Sequence, residues 1–130
     1  VKGFEGIAGW LYVQSDEERE HMLKLVKFIN ERGGNAVIPD FEKPDGDYPG
    51  VTKLFEKVLE HEEYITASIN GIVELCIAEK DYTTHNWIQW FVNEQIEEER
   101  NARQILDKLS LLGEKALYVF DRDIMSLRKD

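Results

Sequence analysis

The sequence predicts an all-α protein built as an elongated helical bundle, and three observations carry that expectation. Apolar residues recur at alternating spacings of three and four along three long stretches. No strand-like alternation persists anywhere in the chain. The three prolines, Pro39, Pro44 and Pro49, fall together with Gly33, Gly34, Gly46 and Gly50 in one connection over 33–50, leaving the rest to helix formers.

The spacings predict helices over about 4–32, 51–79, 83–112 and 115–128. The first carries a seam of Phe4, Ile7, Leu11, Gln14, Glu18, His21, Leu25 and Phe28. The second reads Val51, Phe55, Val58, Glu62, Ile65, Ile69, Ile72 and Cys76. The third reads Ile88, Phe91, Gln95, Glu98, Ala102, Ile105, Leu109 and Leu112, with N-cap candidates over Asp81–Thr84 and a stop at Gly113. The last places Leu117, Phe120, Ile124 and Leu127 on one face. Helices of about 30 residues span about 45 Å each, so the bundle is long.

The chain has 130 residues, one domain's worth, with 26 acidic against 16 basic residues and a net charge of −10. That balance disfavours binding to a phosphate backbone and favours cations, metals included. A single cysteine, Cys76, makes no internal disulfide and reads as a small buried hydrophobe. The start, Val1–Gly6, is not expected to be a secretory leader, and no apolar run approaches the ~20 residues of a membrane span. A soluble cytoplasmic protein is expected.

Each seam is apolar except near its middle, where Gln14, Glu18, His21, Glu62, Gln95 and Glu98 interrupt it. Unpaired buried carboxylates are expensive, yet no seam position is Lys or Arg. The compensation must come from solvent, from protonation or from a bound cation. Glu18 and His21, three apart, share a helix face and can converge on one ion. Carboxylate and imidazole together suit a divalent transition metal such as iron, and glutamates from facing helices can bridge two such ions. Gln14 has no metal role and is assigned to hydrogen bonding within the bundle. Glu17, Glu94 and Glu97 flank these positions; they read either as a solvated helix face or as a further iron site or mineral-nucleating surface.

Three segments then resemble a known family. Asp16-Glu17-Glu18-Arg19-Glu20-His21-Met22, with Phe4-Glu5-Gly6 before it, is similar to the second helix of bacterial non-haem ferritins. His61-Glu62-Glu63-Tyr64-Ile65-Thr66 resembles their third-helix metal segment, and the run from Trp87 to Glu99 resembles the fourth. The resemblance implies a ferritin-like up–down four-helix bundle with a short C-terminal fifth helix. It implies a homo-oligomeric shell of 24 subunits in the family, storing ferric oxide-hydroxide. Glu18 would bridge two irons, His21 would complete one of them, and Glu62, Gln95 and Glu98 would serve the other. Glu17, Glu94, Glu97 and Glu98 would correspond to a third iron site. The implied reaction oxidises two Fe(II) with oxygen or peroxide, with Glu18, His21, Glu62 and Glu98 as its catalytic ligands.

Arg19 stands where haem-containing bacterioferritins carry Met, and Gln95-x-x-Glu98 where they carry a second Glu-x-x-His, so no haem is expected. The family's first long helix, with a further glutamate ligand, has no counterpart here, and three long helices plus a short one do not close a four-helix bundle. The chain is therefore expected to be an N-terminally incomplete ferritin-like domain over 1–130. Trp87, Trp90 and Phe91 read as packing or subunit-contact aromatics, and His61 and His85 as surface or interface residues. Two alternatives stand beside this reading. A rubrerythrin-like di-iron peroxidase would call for a second Glu-x-x-His or paired Cys-x-x-Cys motifs, against which the lone Cys76 counts. A non-catalytic acidic helical interaction module would leave the polar seam incidental.

Overall fold

The computed structural model describes residues 3–43, 46–113 and 116–128. Val1, Pro44 and the expected start of the last helix at 115 lie outside them. Three long helices, α1 (Glu5–Glu31), α2 (Val51–Ala78) and α3 (Tyr82–Leu112), precede a short α4 (Leu117–Asp123) that tightens into a 3₁₀ turn at Ile124–Leu127. No strand occurs among the described residues, and none of their helices is long and apolar enough to cross a membrane.

Helix ends follow local chemistry. Gly33 takes φ 83° after α1, and the Gly34 N–H donates to the Ile29 carbonyl at 2.9 Å, closing the last turn. Asp81 caps α3, its carboxylate accepting from the Thr84 N–H at 3.0 Å, and Gly113 ends that helix at φ 72°. α1 has no local side-chain cap. The Asp121 carboxylate, from the far end of the chain, accepts from the Ile7 N–H at 2.8 Å instead.

The contacts set the helix directions. Glu62 meets Gln95, and Ile69 clusters with Ile88 and Phe91, so α2 and α3 form an antiparallel hairpin. Gln14 meets Glu98 and Phe28 stacks on Trp87, making α1 antiparallel to α3. α1 and α2 consequently run parallel, which Trp10 against Phe55 also shows. The connection over 33–50 is the crossover that such a pair requires, and its described residues are neither helix nor strand.

The seams form the core. Ile7, Phe55, Ile88 and Ile105 are essentially inaccessible, and Phe120 and Ile124 of the C-terminal segment join the same cluster as Ile7 and Phe55. Burying such side chains contributes about 1.5–3 kcal/mol each. Cys76 is buried, as its seam position predicts. Seam positions Leu25, Ile72 and Leu112 are open to solvent, lying where no neighbouring described helix covers them. Between α1 and α2 runs a groove of about 500 Å³ that Leu54, Val58 and Tyr64 line beside Glu18 and Glu62.

Candidate metal centre

The buried polar residues among those described are Glu62, Gln95 and Glu98, all interruptions of an apolar seam. The half-buried Gln14, Glu18 and His21 face them from α1. Glu18, His21 and Glu98 each bring one ligand atom within 4.8 Å of the other two, the one such acidic or imidazole group among the described residues. Two helices therefore deliver two carboxylates and an imidazole to one point, a donor set suited to a divalent transition metal. His21 Nδ1 faces a Glu18 oxygen at 3.6 Å, while its Nε2 lies 3.8 Å from Glu94.

Glu62 and Gln95 lie beside this point and turn toward each other. Gln95 Nε2 lies 3.1 Å from both the Glu62 carboxylate and its backbone carbonyl, donating to each. Gln14 Nε2 donates to Glu18 at 3.0 Å and to Glu98 at 2.9 Å, so its amide ties the two carboxylates together. The expected hydrogen-bonding role of Gln14 is thus met, within the carboxylate cluster itself. No buried side-chain nitrogen or oxygen among the described residues lacks a partner.

The electrostatics divide the carboxylates. Contact with His21 holds Glu18 below the usual carboxylate range, and Glu18 in turn raises the His21 imidazole. Burial, reinforced by the neighbouring Glu18 charge, pushes Glu62 up to about 7. Burial likewise raises Glu98. Protonation is therefore one source of the compensation that the seams lack.

One basic side chain from outside the seams lies beside the cluster. Arg128, just beyond the 3₁₀ turn, folds back onto α1. Its guanidinium pairs with Glu17 at 2.8 Å, donates to Gln14 Oε1 at 3.1 Å and to the Trp10 carbonyl at 3.3 Å, and sits over the Trp10 ring. Helical periodicity within the seams carried no sign of it. The one local hint was its place directly after Leu127, on the apolar face of the last helix.

The flanking acids gather around a separate pocket of about 310 Å³, which Glu17, Glu94, Glu97, Glu98 and Arg128 line. Glu17 is engaged by Arg128 and Glu94 faces His21, while Glu97 is half-buried. The aromatics pack as expected: Trp87 stacks on Phe28 at 4.0 Å, and Trp90 and Phe91 hold His21 edge-on. His61 is exposed and His85 half-buried.

The chain resembles known proteins over most of its length. Residues 1–112 match the Ferritin-like domain family model. The chain is 44% identical over 128 residues to a probable bacterial non-heme ferritin-like protein of Haemophilus influenzae, covering 97% of this chain and 78% of that protein. It is 38% identical to a bacterial non-heme ferritin of Campylobacter jejuni, over 95% of this chain and 75% of the relative. Among solved structures, an open pore ferritin from the archaeon Archaeoglobus fulgidus superposes with a TM-score of 0.92 at 40% identity, over 98% of this chain and 78% of that one. A humanized archaeal ferritin superposes equally well at 42% identity, with the same coverage. A matched family model, relatives above 30% identity and a shared fold lead to one conclusion: the chain belongs to the ferritin-like domain family.

Proposed function

We propose that this chain is a subunit of a non-haem ferritin that oxidises Fe(II) and stores the ferric product. The observation that carries the reading is the convergence of Glu18, His21 and Glu98 at mid-bundle, with Glu62 and Gln95 beside them. In this reading Glu18 lies between two Fe(II) ions. His21 binds one ion, and Glu62, Gln95 and Glu98 hold the other. Glu18 is ionised and ready to bind, whereas Glu62 and Glu98 exchange protons for the incoming cation. Two Fe(II) yield two electrons, which with two protons reduce oxygen to the peroxide level or peroxide to water.

Glu17, Glu94, Glu97 and Glu98 form a third iron position or a mineral-nucleating surface, in keeping with their shared pocket. The groove between α1 and α2 is lined by Glu18 and Glu62. A further amphipathic helix bearing a carboxylate, as the family resemblance implies, would complete the centre there and cover the exposed apolar seam. Assembly into a 24-subunit cytoplasmic shell, without haem, places the released ferric oxide-hydroxide inside a cavity.

Oxygen uptake after Fe(II) addition tests the reading. The assembled protein is expected to consume oxygen far faster than buffer, and Glu18→Ala or His21→Ala to reduce uptake about 100-fold, the scale of a lost ligand or orienting group. Unchanged uptake in both variants rejects the site. Sedimentation supplies the companion result, since a large iron-filled particle supports storage whereas a small iron-free species supports an acidic interaction module.

A further inference from the structure

We propose that Arg128 is a positioning residue for the metal centre, acting from the C-terminal segment through the Gln14 amide. The inference rests on the reading of Glu18, His21 and Glu98 as metal ligands. It starts from a connected chain of hydrogen bonds. Arg128 Nη2 donates to Gln14 Oε1, and Gln14 Nε2 donates to both Glu18 and Glu98.

The amide can serve both carboxylates only in one orientation. Turned over, its oxygen would face two acceptors and its NH₂ would face a guanidinium that has only donors to offer. Arg128 fixes that orientation by occupying the oxygen side. Trp10, Gln14 and Glu17 lie along one face of α1, and the guanidinium engages all three at once. Its side chain is 13% exposed, so the clamp is largely dry and its geometry is held.

Planarity matters here. The guanidinium fork can reach Glu17, Gln14 and the Trp10 carbonyl together, whereas a single ammonium cannot. The C-terminal segment is thereby coupled to the spacing of two carboxylates contributed by different helices. Groups that orient metal ligands in this way typically change affinity 10–100-fold when removed.

Titration of the metal-free protein with Co(II), followed by visible absorption, tests the proposal. Wild-type protein binds and His21→Ala does not if the centre itself is correct; absence of binding in wild type overturns the centre and the proposal with it. Arg128→Met keeps an apolar stem on Trp10 and removes every donor. It is expected to weaken Co(II) binding about tenfold and to shift the ligand-field band, with Gln14→Leu doing the same. The double variant is expected to bind no more weakly than either single one, because both act through one amide. Losses that multiply in the double variant, or an Arg128→Met affinity within about twofold of wild type, overturn the proposal. Should Arg128→Met fail to fold, Arg128→Leu, which also packs on Trp10 and has no donor, takes its place in the cycle with the same two outcomes. Asp121→Ala, which removes the Ile7 cap and loosens the same segment without touching the relay, is expected to lower the melting temperature and leave Co(II) affinity unchanged. An equal loss of affinity there would reduce Arg128 to an anchor and overturn the proposal.

Discussion

Gly6 and Asp121 approach so closely that a Cβ on residue 6 would lie 1.8 Å from the Asp121 carbonyl oxygen. The contact docks the C-terminal segment onto the first turn of α1, where Asp121 also supplies the cap for Ile7. Neither backbone can yield without separating the two elements. Gly6→Ala is therefore expected to cost at least about 2–3 kcal/mol through overpacking, read as a lower midpoint in urea. Asp121→Ala, which removes only the cap, is expected to cost about 1 kcal/mol. A Gly6→Ala protein as stable as wild type would contradict this docking.

The tight turn between α2 and α3 gives the opposite sign. Lys80 sits at φ 57°, and the Asp81 N–H donates to the Cys76 carbonyl across it at 2.9 Å, so a left-handed residue is required. A side chain there costs about 1 kcal/mol that glycine does not incur, partly offset by glycine's freer unfolded state. Lys80→Gly is expected to raise the midpoint of thermal unfolding by a few degrees, and a fall would show that the lysine contributes a contact of its own.

Glu62 makes metal-free stability depend on pH with a definite sign. Burial raises its pKa from the ordinary 4.5 to about 7 in the folded chain, so the folded state binds more protons than the unfolded one between those values. Stability from this group is full below about pH 4.5 and is lost as pH rises toward 7, on the order of 3 kcal/mol in all. Glu62→Gln removes the titration and still offers an acceptor to Gln95. The melting temperature of the variant is expected to match wild type near pH 4.5 and to exceed it by roughly 10 °C at pH 7 in metal-free protein. Parallel curves would show that Glu62 is not held protonated.

Metal binding should reverse that protonation. A cation at the centre favours the ionised forms of Glu62 and Glu98, so loading is expected to release protons. Titrating Co(II) into weakly buffered protein at pH 6 is expected to acidify the solution, and Glu62→Gln to release about one proton fewer per site, the share of one titrating group. Equal release by both proteins would remove Glu62 from the centre.

Much of this arrangement was legible in the sequence because helical periodicity reports which face is inward. Ile7, Phe55 and Ile105 lie at seam positions and are fully enclosed, and the buried polar residues Glu62, Gln95 and Glu98 are seam interruptions. Trp10 and Leu54 are buried one position away from the seams, since a packed helix face is wider than a two-residue stripe. Asp121 and Arg128 were not legible. Their hydrogen-bond partners Ile7, Gln14 and Trp10 lie 114 to 118 residues away, and no local spacing encodes such a contact. The parallel course of α1 and α2 likewise follows from cross-helix pairs rather than from any one helix.

The central claim is that Glu18, His21 and Glu98 meet at a metal, with Glu62 and Gln95 completing the site. Anomalous scattering from a crystal soaked in Co(II) tests it most directly. The account predicts a strong peak within bonding distance of Glu18, His21 and Glu98, and a second one toward Glu62. Peaks confined to the outer pocket near Glu94 and Glu97, with the Glu18–His21–Glu98 position empty at saturating Co(II), would contradict it.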